Sequence, residues 1–269
     1  MENVIIPNIK GGLGNQMFQI AAAIGVAEKN NLQYAINYNL KHNCGQGFKP
    51  SKYRNNLFLN IPHTEVTPDS TYSEPFFHYQ DVILKGTTLI DGYFQSEKYF
   101  SHCNTLVRDI FKFGDEETKS WETIKQQIDT RNTVIIHLRR GDYVNYPTIH
   151  PILGNDYYRK ALTYILHNNK DITSILICTD DWESVIRDGI ISEVITPFKI
   201  PIGITKGCSE LQDLYIMSQC DHIIMSNSSF SWWGSFLGKK KNTVAPKTWF
   251  GKNGPQDFFD IYNSDWTLF

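Results

Sequence analysis

His137-Leu138-Arg139-Arg140-Gly141-Asp142-Tyr143 gathers an imidazole, two guanidinium groups and a carboxylate in one short run. About ninety residues later comes Ser226-Asn227-Ser228-Ser229-Phe230-Ser231-Trp232-Trp233-Gly234, a cluster of hydroxyls where a helix should begin. Both are ways of gripping phosphate. An arginine fork makes paired, charge-assisted hydrogen bonds to phosphate oxygens. A helix start offers free N–H groups and the positive end of a dipole. Together they suggest an enzyme that uses a nucleotide diphosphate donor. Neighbours on an extended segment point to opposite faces. His137 and Arg139 therefore share a face, which we assign to the ligand, and Arg140 turns away to pair with Asp142. The competing reading of the serines is plain N-capping of the last long helix by Ser228 or Ser229. Asn227-Ser228-Ser229 also spells a glycosylation acceptor, which we take as chance in a phosphate loop.

Other groups bear on the same chemistry. Asp213 lies sixteen positions before Ser229 on the preceding helix. It can accept two N–H bonds from a guanine edge, or it is simply a solvated residue of an amphipathic helix. Thr179-Asp180-Asp181 reads as a helix N-cap with Asp180 toward the ligand, since two adjacent carboxylates alone chelate a metal poorly. Gly11-Gly12-Leu13-Gly14-Asn15-Gln16 is near a dinucleotide fingerprint, but Met17 stands where the third glycine belongs and no acidic residue ends a second strand. That argues against a dehydrogenase. The glycines still admit a ligand close to the backbone, and Asn15 and Gln16 can bond a sugar.

The elements that would position these groups alternate. In the second half, apolar runs at 134–136, 174–178, 193–195, 222–225 and 243–245 are separated by helix-like segments at 156–167, 181–188, 209–219 and 229–237. Alternating strands and helices predict a parallel sheet with right-handed crossovers, whose ligands lie beyond the carboxyl ends of the strands. His137, Arg139, Asp180 and residues 226–229 all fall there. The first half opens in the same way, with a strand at 4–6, a glycine turn, a helix over 15–29 and a strand over 33–38. Residues 41–75 read as loop, 88–91 as a strand and 116–128 as a helix. The expectation is an α/β protein of two Rossmann-like lobes with a central cleft, divided into 1–125 and 126–269.

The bulk numbers narrow the class. The chain has 269 residues, 41% of them hydrophobic, and a net charge of −2, so nothing draws it generally to nucleic acid. Five cysteines without a C-x-x-C pair predict reduced thiols and a cytoplasmic protein. No basic-then-apolar leader and no spanning apolar run are present, and peripheral membrane association is left open.

Gly-Gly-Leu-Gly-Asn-Gln-Met-Phe-Gln at 11–19, His-Leu-Arg-Arg-Gly-Asp-Tyr at 137–143 and Ser-Asn-Ser-Ser-Phe-Ser-Trp-Trp-Gly at 226–234 resemble, in order and spacing, the marks of the family 11 glycosyltransferases, which are α-1,2-fucosyltransferases. The resemblance implies a GT-B-like fold with GDP-fucose in the C-terminal lobe. It implies Arg139 on the β-phosphate with His137 beside it, Asp213 on guanine, and Ser228, Ser229 and Phe230 on the diphosphate. Gly14, Asn15 and Gln16 would face the acceptor or the fucose. The implied reaction inverts the donor's configuration and places L-fucose on the 2-hydroxyl of a terminal galactose of a glycan, with no metal or other cofactor. Arg139, Asp142 and His137 are the catalytic candidates. The base is open among Asp142, His150 and Asp156. Alternatives are another linkage or donor, or a non-catalytic sugar-binding module. Arg140-Gly141-Asp142 also spells the integrin adhesion tripeptide.

Overall fold

The computed structural model describes residues 3–45 and 47–269. The chain forms two compact units, each an α/β structure on a parallel sheet. Unit 1 holds the residues up to Gly114 together with Asp257–Asn263, and unit 2 holds Asp115–Gln256 and Ser264–Phe269.

Unit 1 runs β1 (Val4–Pro7), α1 (Leu13–Asn30), β2 (Gln33–Tyr34), β3 (Ser70–Ser73), β4 (Thr88–Asp91) and α2 (Asn104–Ile110), with sheet order β2-β1-β4-β3. Every pairing is parallel. Fourteen of the eighteen residues of α1 are buried, so this helix is enclosed rather than amphipathic. Two buried glutamines on it brace the glycine turn. Gln19 Oε1 accepts from Lys10 N at 2.8 Å, and its Nε2 donates to Lys10 O at 3.0 Å. Gln16 Nε2 donates to Gly11 O at 3.0 Å and Phe48 O at 2.7 Å. The segment Asp257–Asn263 belongs here because Asp257 accepts from Phe77 N at 2.8 Å and lies 3.0 Å from His78 Nδ1. Asp260 likewise accepts from Tyr79 N at 2.9 Å.

Unit 2 runs α3 (Asp115–Gln127), β5 (Thr133–Leu138), α4 (Asn155–Asn168), β6 (Ser174–Thr179), α5 (Trp182–Arg187), β7 (Ile202–Ile204), α6 (Glu210–Gln219), β8 (His222–Ile224), α7 (Ser229–Leu237), β9 (Asn242–Ala245) and β10 (Thr267–Leu268). The sheet order is β10-β9-β8-β5-β6-β7, all parallel. All residues of β5 and β6 are buried, as strands covered on both faces require. Lys240 closes the C-terminal end of α6, donating to the carbonyls of Met217, Ser218 and Cys220.

Some expectations need correcting. The break lies at 114/115 rather than 125/126, because α3 packs on α6 and buries Trp121 and Ile124 in unit 2. Residues 193–195 are no strand; they lie in a π-helical turn, Ile191–Ile195, and the strand is β7. A three-residue apolar run does not distinguish a strand from a buried helical turn. β2 stops at Tyr34, after which Ile36 makes only an isolated bridge to His63. β3 sat inside the expected loop because Ser-Thr-Tyr-Ser at a sheet edge has no apolar run to reveal it.

Gly25 of α1 permits a close backbone contact: a Cβ there would lie 2.1 Å from the carbonyl oxygen of Tyr99. Backbone cannot yield as a side-chain tip does. Gly25→Ala should cost ~2–3 kcal/mol and lower Tm by about 5 °C or more, measurable by thermal denaturation.

Candidate active site

The site-forming residues of unit 2 lie where β5 ends, at the middle of its sheet. β5 pairs with β6 on one side and β8 on the other. The next two amides are tied to both flanking loops. Arg139 N donates to Ser226 Oγ at 3.0 Å, in the loop after β8. Arg140 N donates to Asp180 Oδ1 at 2.9 Å, in the loop after β6. Tyr158 on α4 secures the first tie, its hydroxyl 2.8 Å from Ser226 Oγ. Tyr143 secures the same loop by donating to Asn227 O at 2.9 Å. The arginine strand and the serine loop therefore meet.

The Arg139 side chain sits in an acidic clamp. Nη1 lies 2.5 Å from Asp180 Oδ2, and Nη2 pairs with Asp142. Burial opposes the guanidinium charge, but Asp180 and Asp142 outweigh it and the pKa is raised. The guanidinium rests 5.1 Å from the ring centre of Tyr143, which stacks on His150 at 4.5 Å and 17°. Nε of Arg139 is buried with no partner among the described residues.

Arg140 turns away, as strand alternation predicts, but its carboxylate is a different one. It is 1% exposed, and its Nε lies 3.1 Å from Asp188 Oδ2. The expected Arg140–Asp142 pair is thus corrected: Asp142 faces Arg139 instead. Burial of Arg140 also removes the adhesion reading, since the tripeptide is not displayed. Gly141 has another purpose. A Cβ on it would lie 2.2 Å from Asp180 Oδ2, so only glycine lets Asp180 approach the turn. Asp181 caps α5, accepting from Ser184 N at 3.0 Å.

The remaining residues fall nearby in unit 2. His137 is buried with its ring 5.8 Å from Phe230. Burial, then the charge of Arg139, lowers its pKa to about 3, so it is a neutral imidazole, and its Nδ1 has no partner among the described residues. Ser228 is the N-cap of α7, accepting from Phe230 N at 3.3 Å. Capping and phosphate binding are compatible, because a cap satisfies one of several free amides. Ser229 and Phe230, in the first turn, are half-buried. Asn227 is buried and donates to Pro151 O at 3.1 Å and Trp249 O at 3.0 Å, so it is no glycosylation acceptor. Asp213, half-buried on α6 beside Thr205 and Cys178, has its pKa raised by burial to about 7, and its Oδ1 has no partner among the described residues. Among those residues no group of three or more His, Cys, Asp or Glu side chains is arranged for a metal ion.

In unit 1, Gly14, Asn15 and Gln16 form the first turn of α1 after Gly12. Asn15 Oδ1 accepts from Gln95 Nε2 at 2.7 Å. Gln16 is buried, and its amide nitrogen holds the turn rather than facing outward. Two partners carried too little weight in the sequence: Asp180, whose signal was a carboxylate one residue past an apolar strand, and Ser226, which looked like one hydroxyl among four.

Comparison with known proteins shows the family of the chain. The sequence model of Glycosyl transferase family 11 matches residues 5–269, and the chain belongs to that family. An α-1,2-colitosyltransferase of Escherichia coli is 27% identical over 95% of this chain and 96% of its own length. A galactoside 2-α-L-fucosyltransferase of Caenorhabditis elegans is 27% identical over 87% of this chain and 69% of its own. The α-1,6-fucosyltransferase NodZ, co-crystallised with GDP, superposes with a TM-score of 0.55 over 88% of this chain and 93% of its own, at 12% identity, which is a likeness of fold. Among the described residues no helix is long and apolar enough to cross a membrane.

Asp213 yields a test of the site's electrostatics. Its carboxyl is raised in the folded protein, so folding favours the protonated form. The cost of holding the charge grows as pH rises from about 4 to about 7 and is complete above that. Asp213→Asn should therefore raise Tm at pH 8, by the equivalent of about 1 kcal/mol or more, and leave it nearly unchanged at pH 4. Equal shifts at both pH values would contradict a buried carboxylate.

Proposed function

We propose that the protein transfers L-fucose from GDP-β-L-fucose to the 2-hydroxyl of a terminal galactose, with inversion, binding the donor in unit 2 and the acceptor in unit 1. One observation carries the donor reading. Three buried polar atoms at one end of the unit 2 sheet have no partner among the described residues: Arg139 Nε, His137 Nδ1 and Asp213 Oδ1. Leaving such groups unpaired costs ~1–3 kcal/mol each, which a ligand of matching chemistry returns. A guanidinium donor suits a phosphate, a carboxylate acceptor suits the N–H edge of guanine, and a neutral imidazole suits either a hydroxyl or a phosphate oxygen. Ser228, Ser229 and the amides at the start of α7 add donors for the diphosphate.

The chemistry follows from charge. The acceptor oxygen bonds to the anomeric carbon as the bond from that carbon to the β-phosphate oxygen breaks. The electron pair stays with GDP, and the acceptor hydroxyl's proton passes to water. Negative charge grows on the leaving phosphate, which in this reading meets Arg139 Nε and the helix-start amides. Stabilisation that increases toward the transition state accelerates the step. Asp142 and Asp180 hold the fork in place, so Asp142 acts on Arg139 rather than as the base. Fixed positive charge on the leaving group makes a divalent ion unnecessary in this reading.

A second reading concerns the donor sugar. The colitosyltransferase and the fucosyltransferase named above are equally identical to this chain. Competition between GDP-fucose and GDP-colitose separates the two.

Arg139→Lys keeps a charge but loses the fork. It should lower kcat about a hundredfold, and Arg139→Ala should lower it further, in a GDP-release assay with a galactoside acceptor. Wild-type kcat in Arg139→Lys would remove the phosphate role. Turnover should persist in excess EDTA; activity lost to chelation and restored by Mn²⁺ would refute the metal-free mechanism.

A further inference from the structure

The carboxyl end of the unit 1 sheet carries a polar and aromatic cluster that the donor chemistry does not use. The chain leaves β1 for β2 on one side, while β3 and β4 lie on the other, so strand order reverses at the β1–β4 pair. Ligands of open parallel sheets favour this position. Asn8 follows β1 and donates from Nδ2 to Asp91 Oδ1, the last residue of β4, at 3.0 Å. Lys10 Nζ lies 2.8 Å from the same oxygen. Both bonds fall on Oδ1, and among the described residues Oδ2 accepts nothing. Two residues on, Tyr93 is 39% exposed, with Lys10 Nζ 5.2 Å from its ring centre.

A specific brace holds this aromatic in place. Glu74, just past β3, accepts from Tyr93 N at 2.7 Å and from Phe94 N at 3.0 Å. Phe94 takes φ of 50°, a left-handed conformation uncommon away from glycine. The turn that presents Tyr93 is therefore fixed by a carboxylate. The same turn carries Gln95, which reaches Asn15 at 2.7 Å and whose buried Oε1 has no partner among the described residues.

The composition indicates the ligand class. Asp91 is paired with Lys10, and burial pushes the Glu74 carboxyl up to about 7, so the cluster carries little net charge and its cation is already matched, which leaves little to attract a phosphate. An uncharged, hydroxyl-rich ligand with one apolar face fits: hydroxyls donate to Asp91 Oδ2, and the exposed ring covers a patch of C–H groups. Galactose has such a face because its axial 4-hydroxyl leaves the opposite side apolar.

We propose that Asp91 and Tyr93, steadied by Lys10, Asn8 and Glu74, form the subsite that recognises the terminal galactose of the acceptor. This deepens the function proposed above and rests on it for the reaction, though not for the binding. The test is saturation-transfer NMR on the full chain with lactose alone, and with cellobiose, which differs only in the 4-hydroxyl configuration of its terminal sugar. Lactose should bind with its galactose protons saturated most, and cellobiose at least fivefold more weakly. Tyr93→Ala and Asp91→Asn should each weaken lactose binding at least fivefold, and Tyr93→Phe should retain it. In steady-state transfer, those two variants should raise the acceptor KM at least fivefold and the GDP-fucose KM less than twofold. Equal binding of the two disaccharides, unchanged lactose binding in Tyr93→Ala, or a parallel rise in both KM values would overturn the subsite. Lactose binding is read without nucleotide, so an inactive GDP-fucose assay defeats the donor reading while this result stands.

Discussion

The guanidinium of Arg139, gripped by two carboxylates from different loops, is the constraint around which unit 2 is arranged. An arginine side chain at a strand end would otherwise sample many rotamers. Here Asp180 and Asp142 take one terminal nitrogen each, and Tyr143 supports the plane from beneath. The backbone on either side is anchored to the loops after β6 and β8. The result is a cation whose position is set before any ligand arrives. Preorganisation of this kind is what an electrostatic catalyst needs, because reorienting dipoles during the reaction would consume the gain.

The clamp also explains residues with no chemistry of their own. Asp180 reaches Arg139 only because Gly141 lacks a side chain. Ser226 can accept from Arg139 only because Tyr158 and Tyr143 hold its loop against β5. Arg140 is buried against Asp188 and fills the space behind the turn. An ion pair so enclosed is weak evidence for stability, since desolvation offsets much of its attraction. Its value here is geometric. It sets the direction in which the neighbouring arginine leaves the strand.

Much of unit 2 was legible in the sequence, because strands buried on both faces are written as unbroken apolar runs. Val134 to Ile136 and Ile175 to Cys178 read as strands because helix-like segments alternate with them along the chain. From those runs the placement of His137, Arg139 and the serine loop on one edge followed. The partner of each charge was not legible. Asp142 lies two residues from Arg140 and three from Arg139, and sequence distance favoured the wrong arginine. The tight turn after β5 reverses that preference, and it depends on a contact with Asp180 about forty residues away. Unit 1 was less legible for a related reason. Its β3 is a polar edge strand, and the return of residues 257–263 rests on two aspartates bonding loop amides, which no periodicity announces.

The two sheet edges differ in a way that a single reaction can use. The unit 2 edge offers a fixed guanidinium, helix-start amides and an elevated carboxyl, a set that in the proposed reading suits a diphosphate with a purine. The unit 1 edge offers carboxylate oxygens, an amide and an exposed ring, a set that in the proposed reading suits the hydroxyls and C–H face of a neutral sugar. A transferase must keep its two substrates from exchanging places. Here the sorting needs no moving part, because unpaired donors at one edge suit phosphate oxygens and carboxylate oxygens at the other suit hydroxyl donors. Specificity is then a difference of two affinities, with the desolvation of unmatched donors or acceptors supplying part of each.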